Sequence, residues 1–424
     1  MIFQTILYKS GRKMKNATQI ISRIMKEKQR KYLYFFQTVV VIAITTALIA
    51  TGILAYTSSS QDTENKYQKA IRAGTDWFVN NQDEQFLHYE YIPLSDIQLN
   101  TGQRLREMGA LWSIALAYNS LGDERYKELA EKGFAFYENT FKYDAGQDIM
   151  FVNITPEKIK LAYNAFAILT MLEIGHPKEE EYIEKFVNGI EFQQQEDGSF
   201  KTFFYNDRAT GVDYYPGEAM FALMSLYEKT KEKSLVETVE KAFPYYRDYW
   251  RNNKNTGFIP WQSRAYRKLA VATGKKEYAD FLFEMNDWLL EEHHPKNKCA
   301  RFDFSRGITT AVFLEGVIQA YLQAKDEGDA ERQICYQNFI QEGSDYILTL
   351  QMWNDEDPRA NGGFLGNEKV LKWVTEKNVK EIERYVAQRQ KSSDRKINFT
   401  RVDNNQHAIT ALMEAMELGL IGKE

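Results

Sequence analysis

Near its C-terminus the chain reads "RVDNNQHAITALMEA" at 401–415, which sets Arg401, Asp403, Gln406 and His407 immediately ahead of an apolar helical run. Asp403 and His407 are four residues apart and share one face of a helix. Five other stretches put unusual polar or aromatic groups in the same kind of place: "RLRE" (Arg104, Arg106, Glu107), "KLAYN" (Lys160, Tyr163, Asn164), "DYYPGE" (Asp213, Tyr214, Tyr215, Glu218), "PWQSR" (Trp261, Gln262, Arg264) and "FDFSR" (Asp303, Arg306). Two chemistries suit such groups. A carboxyl pair can split a glycosidic bond, one member protonated to serve the leaving oxygen and the other ionised to activate water or attack carbon. Alternatively, Tyr215 or His407 can act as base and acid in a lyase or epimerase reaction, with arginine neutralising an enolate-like intermediate.

For the first chemistry the carboxyl candidates are Glu107, Glu218, Asp303 and Asp403. Glu218, Asp403, Asp303 and His407 are the expected catalytic groups. Arg104, Lys160, Arg264, Arg306 and Arg401 would bind anionic groups, arginine by a bidentate fork, which favours uronic-acid or otherwise acidic polymers. Glu107, Gln262 and Gln406 complete the polar binding set, and Tyr163, Tyr214, Tyr215, Trp261 and Phe302 can stack on sugar faces and raise a carboxyl pKa. A plain reading competes with each of these. Asp403 and Gln406 fit a capping box, Pro216 suits a first helical position, Glu218 suits the dipole of a first turn, and the aromatics suit packing. Capping, however, does not call for Arg401, Arg264, Arg306, Trp261 or His407.

The elements that must position these residues alternate along the chain. Six amphipathic segments, 65–82, 123–141, 179–195, 232–250, 276–292 and 330–351, interleave with six more uniformly apolar ones, 104–121, 159–174, 215–229, 261–273, 306–324 and 403–418. A helix with one apolar stripe covers a surface, whereas one that is apolar nearly all round must be enclosed. Six enclosed helices ringed by six amphipathic ones predict an all-α (α/α)6 toroid; an open helical solenoid is the rival. Three outer segments end in similar phrases, "NNQDEQF", "QQQEDGSF" and "LQMWNDEDPRANGGF". In a closed toroid the N-terminal ends of the inner helices share one mouth, where the polar phrases above collect.

Composition narrows the remaining classes. With 424 residues, 44% apolar, 14% aromatic and a net charge of −5, the chain has ample core material and no basic face for nucleic acid. No GxSxG, HExxH or GxxxxGK motif occurs, so no metal and no cofactor is expected. The two cysteines, Cys299 and Cys335, permit one internal disulfide at most and lack metal or redox spacing, so they are expected to be unpaired core residues. Residues 1–31 hold nine Lys/Arg and one acid, Glu27, and precede a 25-residue uncharged run at 32–56. That run is long enough to span a membrane, and the basic segment before it predicts a cytoplasmic N-terminus. A cleaved signal peptide is the alternative, disfavoured by the length of the run and by the poor cleavage site "AYTSSS". Residues 57–64 are a polar linker, and 65–424 form the toroid domain on the extracytoplasmic side, with an insert at 367–398 that can be a lid or a surface embellishment.

Helix count and phrases together resemble the six-hairpin glycosidase-like and terpenoid-cyclase-like toroids. More closely, "KLAYNAFAIL", "YYPGEAMFAL", "RGITTAVFLEGVIQAY" and "RVDNNQHAITAL" resemble a little-characterised bacterial branch of that superfamily, over roughly residues 65–420. The "SRGITT" stretch departs from the threonine-arginine pair usual there, while Arg401, Asp403, Gln406 and His407 keep the pattern of the last helix. Carbohydrate processing is what the resemblance implies. The expected protein is a membrane-anchored, exported carbohydrate-active enzyme, glycoside hydrolase-like, acting on a cell-surface or exported oligosaccharide or polysaccharide. A non-catalytic glycan-binding or assembly protein, and a lyase or epimerase on the same scaffold, are the alternatives.

Overall fold

The computed structural model describes residues 25, 64–93, 97–99, 103–155, 158–292, 299–366 and 400–422. The expected anchor at 32–56, the basic segment before it (apart from Met25) and the insert 367–398 lie outside the described residues. Among the described residues no helix is long and apolar enough to cross a membrane. Asn65–Glu424 forms one compact unit, distinct from Met1–Glu64.

Twelve helices occur among the described residues of this unit: α1 (Lys66–Asn80), α2 (Arg104–Leu121), α3 (Glu124–Glu138), α4 (Leu161–Ile174), α5 (Glu179–Phe192), α6 (Tyr215–Thr230), α7 (Lys233–Asn252), α8 (Ile259–Thr273), α9 (Lys276–Glu292), α10 (Thr309–Glu327), α11 (Ala330–Leu348) and α12 (Val402–Glu417). The even-numbered helices pack in the cyclic order α2, α4, α6, α8, α10, α12 and back to α2, which makes a closed ring and not a solenoid. Burial follows the sequence pattern. In α4 every residue from Leu161 to Met171 is buried, whereas α1 buries Tyr67, Ala70, Ile71, Gly74, Thr75, Trp77 and Phe78, a stripe of period three to four. Of the outer helices, each of the first five inner helices packs most on the one that follows it, and α1 covers α12, so the first helix completes the last hairpin.

Short strands decorate the turns: β1 (Gln82–Asp83), β2 (Phe86–Leu87), β3 (Glu90–Ile92), β4 (Ile97–Leu99), β5 (Phe141–Asp144), β6 (Ile149–Val152) and β7 (Thr400–Arg401). β3 pairs antiparallel with β4 and with β7, placing Glu90 opposite Arg401 and Tyr91 opposite Thr400. The three repeated phrases fold alike: a residue at the helix end bridges to the closing phenylalanine, as in Asp83 with Phe86, Gln194 with Phe200 and Gln351 with Phe364. All three phenylalanines are buried. In "RANGGF" Gly362 has φ +79°, and a Cβ there would lie 1.9 Å from the carbonyl oxygen of Ala73 on α1.

The cysteines correct the sequence reading, because Cys299 and Cys335 form a disulfide with their Cα atoms 4.4 Å apart. After α9 the chain turns back along outer helix α11, where Asn338 donates to the Cys299 carbonyl at 2.8 Å and the Glu342 carboxylate accepts from the Phe302 amide at 3.1 Å. A separation of 36 residues gave no local signal of that return.

Gly362→Ala combines a disallowed φ with a backbone clash and is expected to cost roughly 2–4 kcal/mol in thermal unfolding. Gly122→Ala, at φ +68° with nothing within 4 Å of the added methyl, is expected to cost about 1 kcal/mol. Equal losses for the two variants would contradict the close docking of this loop on α1.

Candidate active site

The N-terminal ends of the inner helices share the lack of a side-chain cap, which outer helices α5 and α7 also lack. None of the six carries a side-chain cap hydrogen bond: their N-cap residues are Gln103, Lys160, Tyr214, Phe258, Ile308 and Arg401. Outer helices α1, α3 and α11 are capped by Asn65, Asp123 and Asp329. The capping box expected of Asp403 and Gln406 is therefore absent, and first-turn N–H groups at the mouth are not claimed by side-chain caps. Pro216 does occupy the first turn of α6 as expected.

Asp403 is held instead by three donors from three parts of the chain. Its Oδ1 accepts from the Tyr89 hydroxyl at 3.0 Å, and its Oδ2 accepts from Arg106 at 2.9 Å and from Arg401 at 3.1 Å. Burial pushes this carboxyl up, but Arg401, Arg106, His407 and the Tyr89 hydroxyl outweigh it and hold Asp403 below the usual carboxylate range. Arg106 in turn donates to the Tyr89 oxygen at 2.5 Å, and Asp403 fixes its charge.

Glu218 is in the opposite state. It is 6% exposed, Pro216 and Gly217 precede it in the first turn of α6, and its Oε2 has no hydrogen-bond partner. Burial pushes its carboxyl up to about 8, with Lys160 the opposing influence, so it is protonated at neutral pH. Lys160 is itself lowered by burial and lies 5.6 Å from the centre of the Tyr215 ring and 5.9 Å from that of Tyr163. Burial and then Glu218 push the Tyr215 hydroxyl up to about 12. The field of Arg106 reaches Lys160, Tyr214 and Tyr215, which links the Asp403 side of the mouth to the Glu218 side. The mouth thus holds one neutral and one ionised carboxyl in a single electrostatic network, the arrangement that assigns acid and base roles.

A third group completes it. His407 Nδ1 lies 3.0 Å from Oε2 of Glu315, a fully buried acid on α10, and the Trp261 ring is 6.2 Å away. An ionised Glu315 only accepts, so Nδ1 is the donor of this contact. Beneath, Trp112, Phe166, Phe221 and Trp261 pack edge-on or tilted with centroids 5.6–6.5 Å apart and fill the barrel axis.

Other expected site residues are placed differently. Arg104 is committed to Glu107 at 2.6 Å and to Gln85, while Glu107 also accepts from Tyr137 at 3.1 Å and is raised by burial, which makes a structural cluster between α2 and α3. Gln262 and Gln406 are buried between inner helices, lying against Gly217 and Gly109. Asp303 is exposed and accepts from the Ser305 amide at 2.9 Å, a turn contact, and Arg306 is exposed beside it. Phe302 packs on Phe339 at 4.9 Å, and Tyr214 is exposed. Arg264 is a correction to the mouth: α8 begins at Ile259, two residues earlier than expected, so Arg264 lies more than a turn below the rim, bonds Glu414 and faces the opposite end. The sequence reading named Arg106 in "RLRE" without giving it a role, and it missed Tyr89 and Glu315. The i,i+3 spacing of Arg104 and Glu107 signals that those two pair and leave Arg106 free to serve the mouth. An acid inside the enclosed run of α10 signals a buried partner. Tyr89 lies in a turn with no periodicity to mark it.

Neutral Glu218 has a consequence for stability. The unfolded chain ionises this group above about 4.5 while the fold keeps it protonated to about 8, so stability present below pH 4.5 is lost progressively as pH rises to 8. At pH 7 the loss is on the order of 3 kcal/mol. Glu218→Gln is expected to unfold at a higher temperature than wild type, by a margin that grows from pH 4.5 to 8; a margin independent of pH would contradict the burial of a neutral acid.

No protein-family model and no curated protein matches the sequence. Solved structures do match in fold. A cellobiose 2-epimerase from Bacillus thermoamylovorans aligns with TM-score 0.57 and 12% identity over 84% of this chain and 99% of that one. An α-1,6-mannanase of a Salegentibacter species, in complex with α-1,6-mannotetrose, aligns with TM-score 0.56 and 11% identity over 84% and 99%. An unsaturated glucuronyl hydrolase from a Bacillus species aligns with TM-score 0.56 and 12% identity over 84% and 97%. The chain therefore has the six-hairpin (α/α)6 toroid fold that these sugar-handling enzymes share.

Proposed function

We propose that the protein is a carbohydrate-active enzyme whose chemistry is done at the mouth of the toroid, with Glu218 as general acid and Asp403 as the ionised partner of a glycoside hydrolase-like reaction. The observation that carries this reading is the split between the two carboxyls, one raised to about 8 and the other held below its ordinary range. Uncapped inner-helix ends, Lys160 and the ring of Tyr215 suit a hydroxyl-rich substrate that offers acceptors and an apolar face. Arg106 and Arg401 add a preference for acidic sugars. Three donors occupy most of the about four lone-pair positions of Asp403, leaving one through which it can order a water.

The buried pair of His407 and Glu315 favours a second reading, in which His407 Nε2 removes a proton from a sugar carbon, as an epimerase or lyase requires. The cellobiose 2-epimerase and the glucuronyl hydrolase on the same fold bracket these two chemistries. We also propose that residues 32–56 anchor the toroid outside the cytoplasmic membrane. The apolar run supports this, and the Cys299–Cys335 disulfide suits an oxidising compartment.

Release of reducing ends from cell-envelope polysaccharides is expected to fall by ~10²–10⁴ in Glu218→Gln and in Asp403→Asn, with substrate binding retained. kcat/KM should decline on the alkaline side with an apparent pKa near 8, as Glu218 loses the proton it donates. His407→Ala should leave hydrolysis within about tenfold. If instead His407→Ala alone abolishes activity, and solvent deuterium enters a sugar C–H position, the proton-abstraction reading replaces the hydrolase. Wild-type activity in both carboxyl variants would overturn each role assigned to them.

A further inference from the structure

At the end of the inner ring opposite the mouth lies a cavity of about 450 Å³, to which all six inner helices contribute. Its size falls within the range of small-molecule sites. The mouth chemistry makes no use of it.

Its floor toward the barrel centre is aromatic, with Trp112 and Phe221 5.7 Å apart and edge-on. Arg264 lies against both rings, its guanidinium carbon 5.6 and 5.4 Å from their centres. This arginine is only 2% exposed, and although Nη1 bonds Glu414, neither Nε nor Nη2 has a hydrogen-bond acceptor. Nη2 approaches Glu315 only to 3.7 Å, an ion-pair distance and not a hydrogen bond. Two neighbouring acceptor oxygens, Glu315 Oε1 and Glu414 Oε2, are likewise without hydrogen-bond partners, so these buried donors are open to an acceptor that a ligand brings.

The basic groups on the cavity wall are committed: Arg264 to Glu414, Lys268 to Glu228 and Lys229 to Glu179. Glu173, by contrast, makes no ion pair among the described residues, and the amide of Asn119, at 2.8 Å from its carboxylate, is its hydrogen-bond donor. Burial raises this carboxyl; the Asn119 hydrogen bond, Lys268 and Lys229 oppose the rise, and the charge of Glu417 adds to it. The C-terminal ends of the inner helices bring further partial negative charge to the same place. Gln319, Ser120 and Ser225 offer neutral hydrogen-bonding groups around the wall.

We propose that this cavity is a second ligand site, separate from the mouth, for a small hydroxylated organic amine, whose ammonium pairs with Glu173 and whose hydroxyl oxygen accepts from Arg264. An amino sugar in its protonated form has both features and fits the volume. The proposal stands independently of the reaction assigned to the mouth.

Isothermal titration of the full-length chain with glucosamine, at a pH where its amine is protonated, tests this, with glucose as the uncharged control. Glucosamine is expected to bind at one site, glucose at least tenfold more weakly. Glu173→Gln should weaken glucosamine at least tenfold. Ser225→Phe, which fills the cavity without changing its charge, should abolish binding, and Glu218→Gln in the mouth should leave it unchanged. Absence of glucosamine binding, equal binding of glucose, indifference to both cavity variants, or loss in Glu218→Gln would each overturn the proposal.

Discussion

The antiparallel pairing of Glu90 and Tyr91 with Arg401 and Thr400 joins the turn after the first outer helix to the entry of the last inner one. That junction adds a backbone fastening to the packing of α12 on α2 that closes the ring. The same pairing brings Tyr89 and Arg401 together around Asp403, and α2 adds Arg106 from the other side of the seam. Closure and the anionic half of the site are therefore one structure. α1 shares the work by covering α12, so residues more than 300 apart in sequence complete a single hairpin.

The two carboxyls reach opposite protonation states by different physical means. Asp403 is surrounded by charge and hydroxyl donors contributed from distant parts of the chain, which repay its desolvation. Glu218 is opposed by Lys160, and that lysine is itself depressed by burial, so desolvation dominates. Arg106 lies between them in electrostatic reach of both sides, which makes the mouth one titrating system. At the centre, the aromatic plug separates this system from the opposite cavity. A row from His407 through Glu315 to Arg264 and Glu414 carries charge past it.

How much of this could be read from sequence depends on whether the signal is local. Periodicity located all twelve helices within a few residues and distinguished enclosed from amphipathic ones, because α4 must be apolar all round and α1 need not be. Glu218 and His407 stood out for the same reason, as polar groups at the start of enclosed runs. Signals that arise only from closure were silent. The partners of Asp403 come from 89, 106 and 401, and the cysteine pair spans a return of chain that no spacing rule foretells. The expected capping box failed because Arg401, not a residue with a capping oxygen, occupies the N-cap position, and Asp403 is drawn to stronger donors. Arg264 was misplaced because α8 begins at Ile259, which sets it more than a turn inside the helix, where its side chain bonds Glu414.

The acid role at the mouth requires Glu218 to be neutral at physiological pH in the resting protein. Difference infrared spectroscopy of wild type against Glu218→Gln tests it directly. A protonated-carboxyl C=O band that is assigned to Glu218 by its loss in the variant, persists at pH 7 and disappears with a midpoint near 8 is the predicted result. A carboxylate band already present at pH 6, titrating near the ordinary glutamate value, would contradict it.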